Sequence, residues 1–167
     1  MNALQNGDLL LFEPGLGFEI KDLWSSYIQS SKYGRCGIVL IRDGICYCAY
    51  SISETENNSF DIRIEKLSIV FKEYQGHIWV RSIDYFDNFY IKFKEIINML
   101  KYKNISNVLN YSSAFVCYIY SHAGILSFQN DWKKCLPCHL ENNPKNQLIL
   151  WMYKVGKETK LLWDMFV

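Results

Sequence analysis

Residues 110–126, NYSSAFVCYIYSHAGIL, place the strongest constraint on what this chain can fold into. Two serines open the stretch, and apolar residues then follow at helical spacing: Phe115, Val116, Cys117, Ile119, Tyr120, Ala123 and Leu126. So wide an apolar surface indicates a helix that is buried on most of its sides. We therefore predict a central helix over residues 112–123, with Ser112 or Ser113 as its N-cap and Gly124 at its end.

Length and composition indicate a single domain, residues 1–167, with a substantial core, because half of the residues are hydrophobic. The formal net charge is +1, and basic residues are not clustered among the aromatic ones, which argues against nucleic-acid binding. No stretch is apolar for long enough to span a bilayer, and no signal-peptide pattern is seen. The six cysteines favour reduced, buried thiols in a cytoplasmic setting.

The remaining patterns predict an α+β fold. Short apolar or alternating runs predict strands over residues 9–12, 36–41, 45–52, 60–64 and 77–83, and a closing hairpin made of residues 148–155 and 160–163. Asp43-Gly44 is the strongest hairpin signal. Apolar stripes predict further helices over residues 19–29 and 88–102, and residues 65–74 are expected to form a short helix or a turn. We expect an antiparallel sheet of about five or six strands, packed against the central helix and flanking helices.

Three short motifs resemble those of circularly permuted NlpC/P60-like (papain-like) cysteine hydrolases. Residues 112–125 resemble the nucleophile helix C-S-x-φ-V-x-x-x-Y-x-x-A-G-I, where φ is apolar. Residues 7–12, GDLLLF, resemble the family's opening strand, and residues 34–40, GRCGIVL, resemble its H-φ-G-I-V strand. Their order is that of the permuted branch, which includes bacterial amidase-like proteins, acyltransferases of the lecithin–retinol type and poxvirus proteins. The resemblance covers about residues 5–140 and implies a papain-like NlpC-type fold.

The chain departs from the family at all three catalytic positions. Ser112 stands at the position of the nucleophilic Cys, Arg35 at that of the base His, and Cys48 at that of the third, polar residue. A serine without a base is a poor nucleophile. Arginine stays charged and cannot accept the proton. The resemblance therefore implies the fold together with a catalytically degenerate site.

The same residues have other interpretations. Ser112 can act only as an N-cap, which the preference of serine for that position explains. Arg35 can be a solvated residue at the start of its strand. If Arg35 points toward Ser112 and Ser113, the three would form a cationic pocket at a helix N-terminus that suits a carboxylate or phosphate.

An active enzyme is the alternative function. It would be a thiol hydrolase or acyltransferase acting on peptide amide or lipid ester bonds, with Ser112 in place of the nucleophilic Cys, by nature or by engineering. Its base would be a relocated histidine, His77 or His139. His122 lies about 15 Å along the helix from Ser112 at 1.5 Å per residue and is too far away. A third class, a structural subunit, would have a filled cleft and an exposed apolar patch such as residues 161–167.

Residues 135–139, CLPCH, fit the C-x-x-C-H pattern of covalent haem and the C-x-x-C pattern of redox proteins. The pair does not open a predicted helix after a strand, and a zinc site would need a second Cys/His pair. We expect a turn with two partly buried thiols, no metal and no cofactor.

Abundant Lys, Asn, Ile and Tyr with only three Pro are typical of an AT-rich genome, such as that of a large DNA virus. Our hypothesis is a viral protein of the host cytoplasm or the virion, retained for binding or assembly. The expected partner is a protein or a small anionic ligand, with a homo-oligomer or capsid association as further options. A hydrogen bond between the Ser112 hydroxyl and an imidazole would instead favour catalysis.

Overall fold

The computed structural model describes residues 3–15, 31–54, 59–84, 88–102, 112–129, 131–141 and 149–162. The strands are β1 (Leu9–Pro14), β2 (Arg35–Arg42), β3 (Ile45–Glu54), β4 (Ser59–Lys66), β5 (Gly76–Arg81), β6 (Leu126–Phe128), β7 (Ile149–Trp151) and β8 (Thr159–Lys160). The helices are α1 (Leu67–Glu73), α2 (Phe89–Tyr102), α3 (Ser112–Ala123) and the single turn α4 (Pro137–Leu140), and Trp132–Lys134 form a 3-10 turn. The predicted α+β class is confirmed.

A six-stranded antiparallel sheet in the order β4-β3-β2-β1-β5-β8 forms the frame of the molecule. The predicted hairpin joins β2 to β3, where Arg42 pairs with Ile45. Its two turn residues, Asp43 and Gly44, have φ angles of 51° and 74°. Positive φ at both central positions is the type I′ geometry, which suits the twist of the flanking strands. The sequence signal at this turn is therefore confirmed.

The predicted closing hairpin is wrong. β7 pairs with β6 in a separate two-stranded sheet, where Leu126 lies opposite Trp151. β8 instead pairs with β5 at the edge of the large sheet, where Trp79 lies opposite Lys160. Each segment pairs with a strand that is distant in sequence. For β8, the buried Leu161 that follows it packs in the core beside β5. Local alternation of residues does not reveal such long-range pairs.

Other predicted boundaries shift by a few residues. The helix predicted over residues 65–74 begins at Leu67, because Glu65 and Lys66 still pair with β3. The loop predicted over residues 53–59 is shorter, since strand pairing continues to Glu54 and resumes at Ser59. The helix predicted over residues 19–29 lies outside the described residues. In the part of the chain that is described, no helix is long and apolar enough to cross a bilayer.

The central helix α3 has the predicted bounds and is buried along nearly its whole length. It packs on the sheet face that carries Cys36, Ile38 and Leu40. The amide of Ile125 donates to the Tyr120 carbonyl at 2.8 Å after Gly124, whose φ is 75°. This is the Schellman arrangement that ends helices at glycine. The end predicted at Gly124 is therefore confirmed.

A second, smaller core covers the opposite face of the sheet, beneath α1. Its buried members are Leu10, Phe12, Val39, Cys48, Leu67, Val70, Ile78, Val80 and Leu161. Because successive side chains of a strand point to opposite faces, β2 serves both cores. Alternate residues of β2 therefore face α3 and α1, and this alternation decides on which face of the sheet each candidate site residue lies.

Gly37, the glycine of the H-φ-G-I-V motif, is required by close packing at the α1 face. A Cβ at this position would lie 2.7 Å from the Cys48 Sγ and 3.2 Å from the Ala49 carbonyl oxygen. We expect Gly37→Ala to lower the free energy of unfolding by about 1–3 kcal/mol, the usual cost of overpacking. Urea unfolding of Gly37→Ala, Cys48→Ala and the double variant measures it. Because Cys48→Ala removes the closest atom, the double variant should lose less than the sum of the single losses. Strict additivity would contradict this account.

Candidate functional site

Ser112 lies where helix α3 meets the start of β2. Its hydroxyl oxygen accepts a hydrogen bond from the backbone N–H of Cys36 at 2.9 Å. The side chain is half-buried, and α3 begins at this residue. The Ser112 hydroxyl is therefore bonded to strand β2, and its role as an N-cap stays a prediction. The structure does bring the helix motif and the β2 motif together.

Ser113 is fully buried, and its hydroxyl donates to the carbonyl of Cys135 at 2.6 Å. This bond fixes the segment before α4 to the first turn of α3. A hydroxyl that is buried and already bonded internally offers no surface to a ligand. The structure therefore places Ser113 in the framework of the domain and outside any pocket for an anion.

Arg35 opens β2 with an exposed side chain on the α1 face of the sheet. It lines a cavity with Phe12, Tyr50, Glu65 and other residues of that face. Ser112 and Ser113 are absent from the lining. Arg35 directly precedes Cys36, whose amide bonds to Ser112, but neither serine lines this cavity. The cationic pocket expected from the three residues does not form there.

Cys48 is fully buried on the α1 face, in the core that contains Val39 and Leu67. Burial, with a smaller effect of the Glu65 carboxylate, raises the pKa of its thiol. The position opposite it on β2 is Val39. Ser112, by contrast, contacts β2 from the α3 side. The residues at the three family positions therefore do not converge, and Cys48 serves as a packing residue.

The three imidazoles have their hydrogen-bond partners elsewhere. Nδ1 of His122 lies 2.9 Å from the Tyr118 carbonyl, and its ring stacks on that tyrosine. Nε2 of His77 lies 3.4 Å from the Lys160 ammonium. Nδ1 of His139 accepts from the Leu136 amide at 2.9 Å, and burial lowers the pKa of this histidine. Among the described residues, no imidazole is hydrogen-bonded to the Ser112 hydroxyl.

The cysteines near α3 are not activated either. Burial, followed by the charges of Glu141 and the Cys138 thiol, raises the pKa of Cys36 well above its ordinary value. Burial and Glu141 also raise the pKa of Cys138. Cys135 is fully buried, which corrects the expectation that it is only partly so, while Cys138 is half-buried. A thiol with a raised pKa stays protonated near neutral pH and is a weak nucleophile.

The cavity on the α1 face has a volume of about 170 Å³ and is open to solvent on one side. Its wall contains Phe12, Arg35, Cys36, Tyr50, Glu65, Val70, Glu73 and Tyr74. The Tyr50 hydroxyl donates to Glu65 Oε2 at 2.6 Å, and burial and this bond raise the pKa of the phenol. The rings of Phe12 and Tyr74 meet edge to face at 5.1 Å. The sequence did not reveal this wall, because the predicted strand ended at Ile64 and Glu65 fell in a predicted short helix or turn.

No cluster of three or more His, Cys, Asp or Glu side chains suited to a metal ion occurs in the described ranges. Residues 135–139 form the end of a loop and the short helix α4, and neither Cys135 nor Cys138 forms a disulfide. Pro137 is at the start of α4, and His139 bonds back to the Leu136 amide. This local bonding explains the compact turn without a ligand.

Comparison with known proteins supplies a fold relationship. No family model matches the chain, and no curated protein matches it by sequence. Among solved structures, it is similar to the metalloprotein YiiX of Escherichia coli O157:H7, a DUF1105 protein. The TM-score is 0.56 at 13% sequence identity, and the match covers 95% of this chain and 96% of YiiX. This likeness shows the fold alone.

Proposed function

We propose that the chain is a catalytically inactive papain-like (NlpC-type) domain that is retained for binding. The observation that carries the proposal is the bonding of Ser112, whose hydroxyl is held by the Cys36 amide and is not hydrogen-bonded to any described imidazole. A serine needs an adjacent base to become a nucleophile. Arg35, at the family's base position, cannot take that role because a guanidinium has no acceptor.

Labelling with an alkyl fluorophosphonate tests the proposal directly, because this reagent modifies serines that are activated by a base. We expect no adduct on the full chain by intact-mass measurement, at a reagent excess that labels a known serine hydrolase completely. The controls are Ser112→Ala and Ser127→Ala, the latter at an exposed serine outside the site. An adduct that Ser112→Ala abolishes and Ser127→Ala retains would overturn the proposal.

The Ser112→Cys variant tests the alternative of a thiol enzyme. A thiolate paired with an imidazolium reacts over two pH transitions, one for each partner, whereas an unpaired thiol shows one. We expect a single transition when iodoacetamide labelling of residue 112 is followed by peptide mass spectrometry. The half-buried Cys46 and Cys138 serve as internal references in the same samples. Two transitions at residue 112 would restore a catalytic role.

We also propose a viral setting, in the host cytoplasm or the virion. The composition, rich in Lys, Asn, Ile and Tyr, and the resemblance to the branch with poxvirus members support it. In that setting the domain binds a protein partner or a small ligand, as a single domain or as part of a homo-oligomer or capsid. The cavity on the α1 face is the candidate surface for this binding role.

A further inference from the structure

We propose that the cavity on the α1 face binds a small organic cation of the quaternary alkylammonium class. This inference deepens the binding role proposed above and rests on it. The cavity lies between β1, β2, β3, β4 and α1, on the sheet face opposite α3. Cys36, whose amide donates to Ser112, lies in its wall, but Ser112 itself does not line it. Three features of its wall argue for a cation: its charge balance, its aromatic rings and its size.

The charged side chains of the wall have a net charge of −1. Glu65 and Glu73 contribute two carboxylates, and Arg35 contributes one guanidinium, which already has interactions within the structure. Tyr50 donates to Glu65 and fixes that carboxylate in the wall. An anion entering here would approach two like charges, while a cation would approach two opposite ones. The anionic ligand expected from Arg35 alone is therefore disfavoured once its neighbours are known.

The aromatic side chains supply the rest of the recognition surface. Phe12 and Tyr74 meet with an interplanar angle of 83°, which makes a corner of two rings, and Tyr50 adds a third ring to the wall. The negative face of an aromatic ring attracts a cation electrostatically, and the attraction grows as the contact is desolvated. Val70 adds an apolar surface. Methyl groups can pack against this surface, whereas a primary ammonium is strongly hydrated and is not stabilised by an apolar contact.

The volume of about 170 Å³ limits the ligand to a small group. Since a water molecule occupies about 30 Å³ of the liquid, this space equals that of about five or six waters. A trimethylammonium head with a short chain fits such a space, whereas a nucleotide or a folded peptide segment does not. Choline is therefore a suitable probe. The matched control for shape is its uncharged carbon isostere, the dimethylbutanol that carries a tert-butyl group in place of the trimethylammonium group.

Titration of the full chain with choline, followed by isothermal calorimetry and amide chemical shifts, tests the inference. We expect choline to perturb amides around the cavity and to bind about tenfold more tightly than dimethylbutanol, as about 1.4 kcal/mol of cation recognition implies. Inorganic phosphate should leave the same amides unchanged. Equal affinity for choline and its neutral isostere, or no choline binding, would overturn the inference.

The sign of the Arg35→Gln effect gives a sharper test. Removing a positive charge should tighten choline binding severalfold, whereas Glu73→Gln should weaken it severalfold. Asp61→Asn, on β4 but outside the cavity wall, is the control for loss of a carboxylate and should change little. All three side chains are exposed, so the variants should keep the fold. Phosphate binding that Arg35→Gln abolishes would identify an anion site and contradict the inference.

Failure of one proposal can be distinguished from failure of the other. Absence of choline binding, with Ser112 unreactive toward fluorophosphonate, would remove the cation site and leave the domain inactive as a hydrolase. An adduct at Ser112 would instead remove the inactive-domain proposal, whatever the result with choline.

Discussion

Replacing Arg81 with methionine is expected to lower the free energy of unfolding by about 2–5 kcal/mol, because two carbonyls lose a charged donor at a cost of about 1–3 kcal/mol each. Arg81 is only 3% exposed and lies on β5. Its Nε donates to the Gly156 carbonyl at 3.1 Å and lies 4.0 Å from the Glu158 carboxylate. Its Nη1 donates to the Leu140 carbonyl. Methionine fills a similar volume, but both carbonyls lose their donor and the Glu158 carboxylate loses its nearby positive charge.

Urea unfolding at neutral pH measures the effect, and Arg42→Met is the matched control. Arg42 pairs with Asp43 at 3.2 Å, but the two side chains are 66% and 83% exposed. Exposed pairs contribute about 0–1 kcal/mol, so the control should change little. Similar losses for the two variants would show that Arg81 does not hold α4 and the segment before β8 against the sheet.

Wild-type stability is expected to fall as pH rises from about 4 to about 7 because of Asp8, by about 2 kcal/mol from this group. Burial raises the pKa of Asp8 to about 6, although the amides of Gln5 and Ile83 donate to it and lower the pKa in part. The folded state therefore binds the proton more tightly than the unfolded chain. This contribution is fully present below the ordinary carboxyl pKa and is lost as pH rises through about 6.

The difference between wild type and Asp8→Asn isolates the effect from other titrating groups. Asparagine stays neutral and keeps one acceptor oxygen, so the variant should gain relative to wild type as pH rises through the window. Asp43→Asn, at an exposed turn position, controls for the loss of one carboxylate. Urea unfolding at several pH values gives both difference curves. A pH-independent difference for Asp8→Asn would contradict the assignment.

The candidate site shows why motif matching located backbone positions better than side chains. The motifs placed the start of α3 beside the start of β2, and the bond between Ser112 and the Cys36 amide agrees with that placement. The direction of Arg35 was decided by alternation along β2, and its chemical surroundings were decided by β4 and α1. Glu65, Glu73 and Tyr74 have no motif of their own, so no local signal linked them to Arg35.

The sequence by itself determined the features that depend on neighbouring residues. These are the bounds of α3, its end at Gly124, the turn at Asp43-Gly44 and the α+β class. Each follows from helical periodicity or from the φ angles that a residue tolerates. Only the tertiary structure decided the pairing of β6 with β7 and of β8 with β5, and the placement of Arg35 and Cys48 on the α1 face of the sheet. Those choices depend on many weak burial contacts between distant segments, and no single stretch of sequence records their sum.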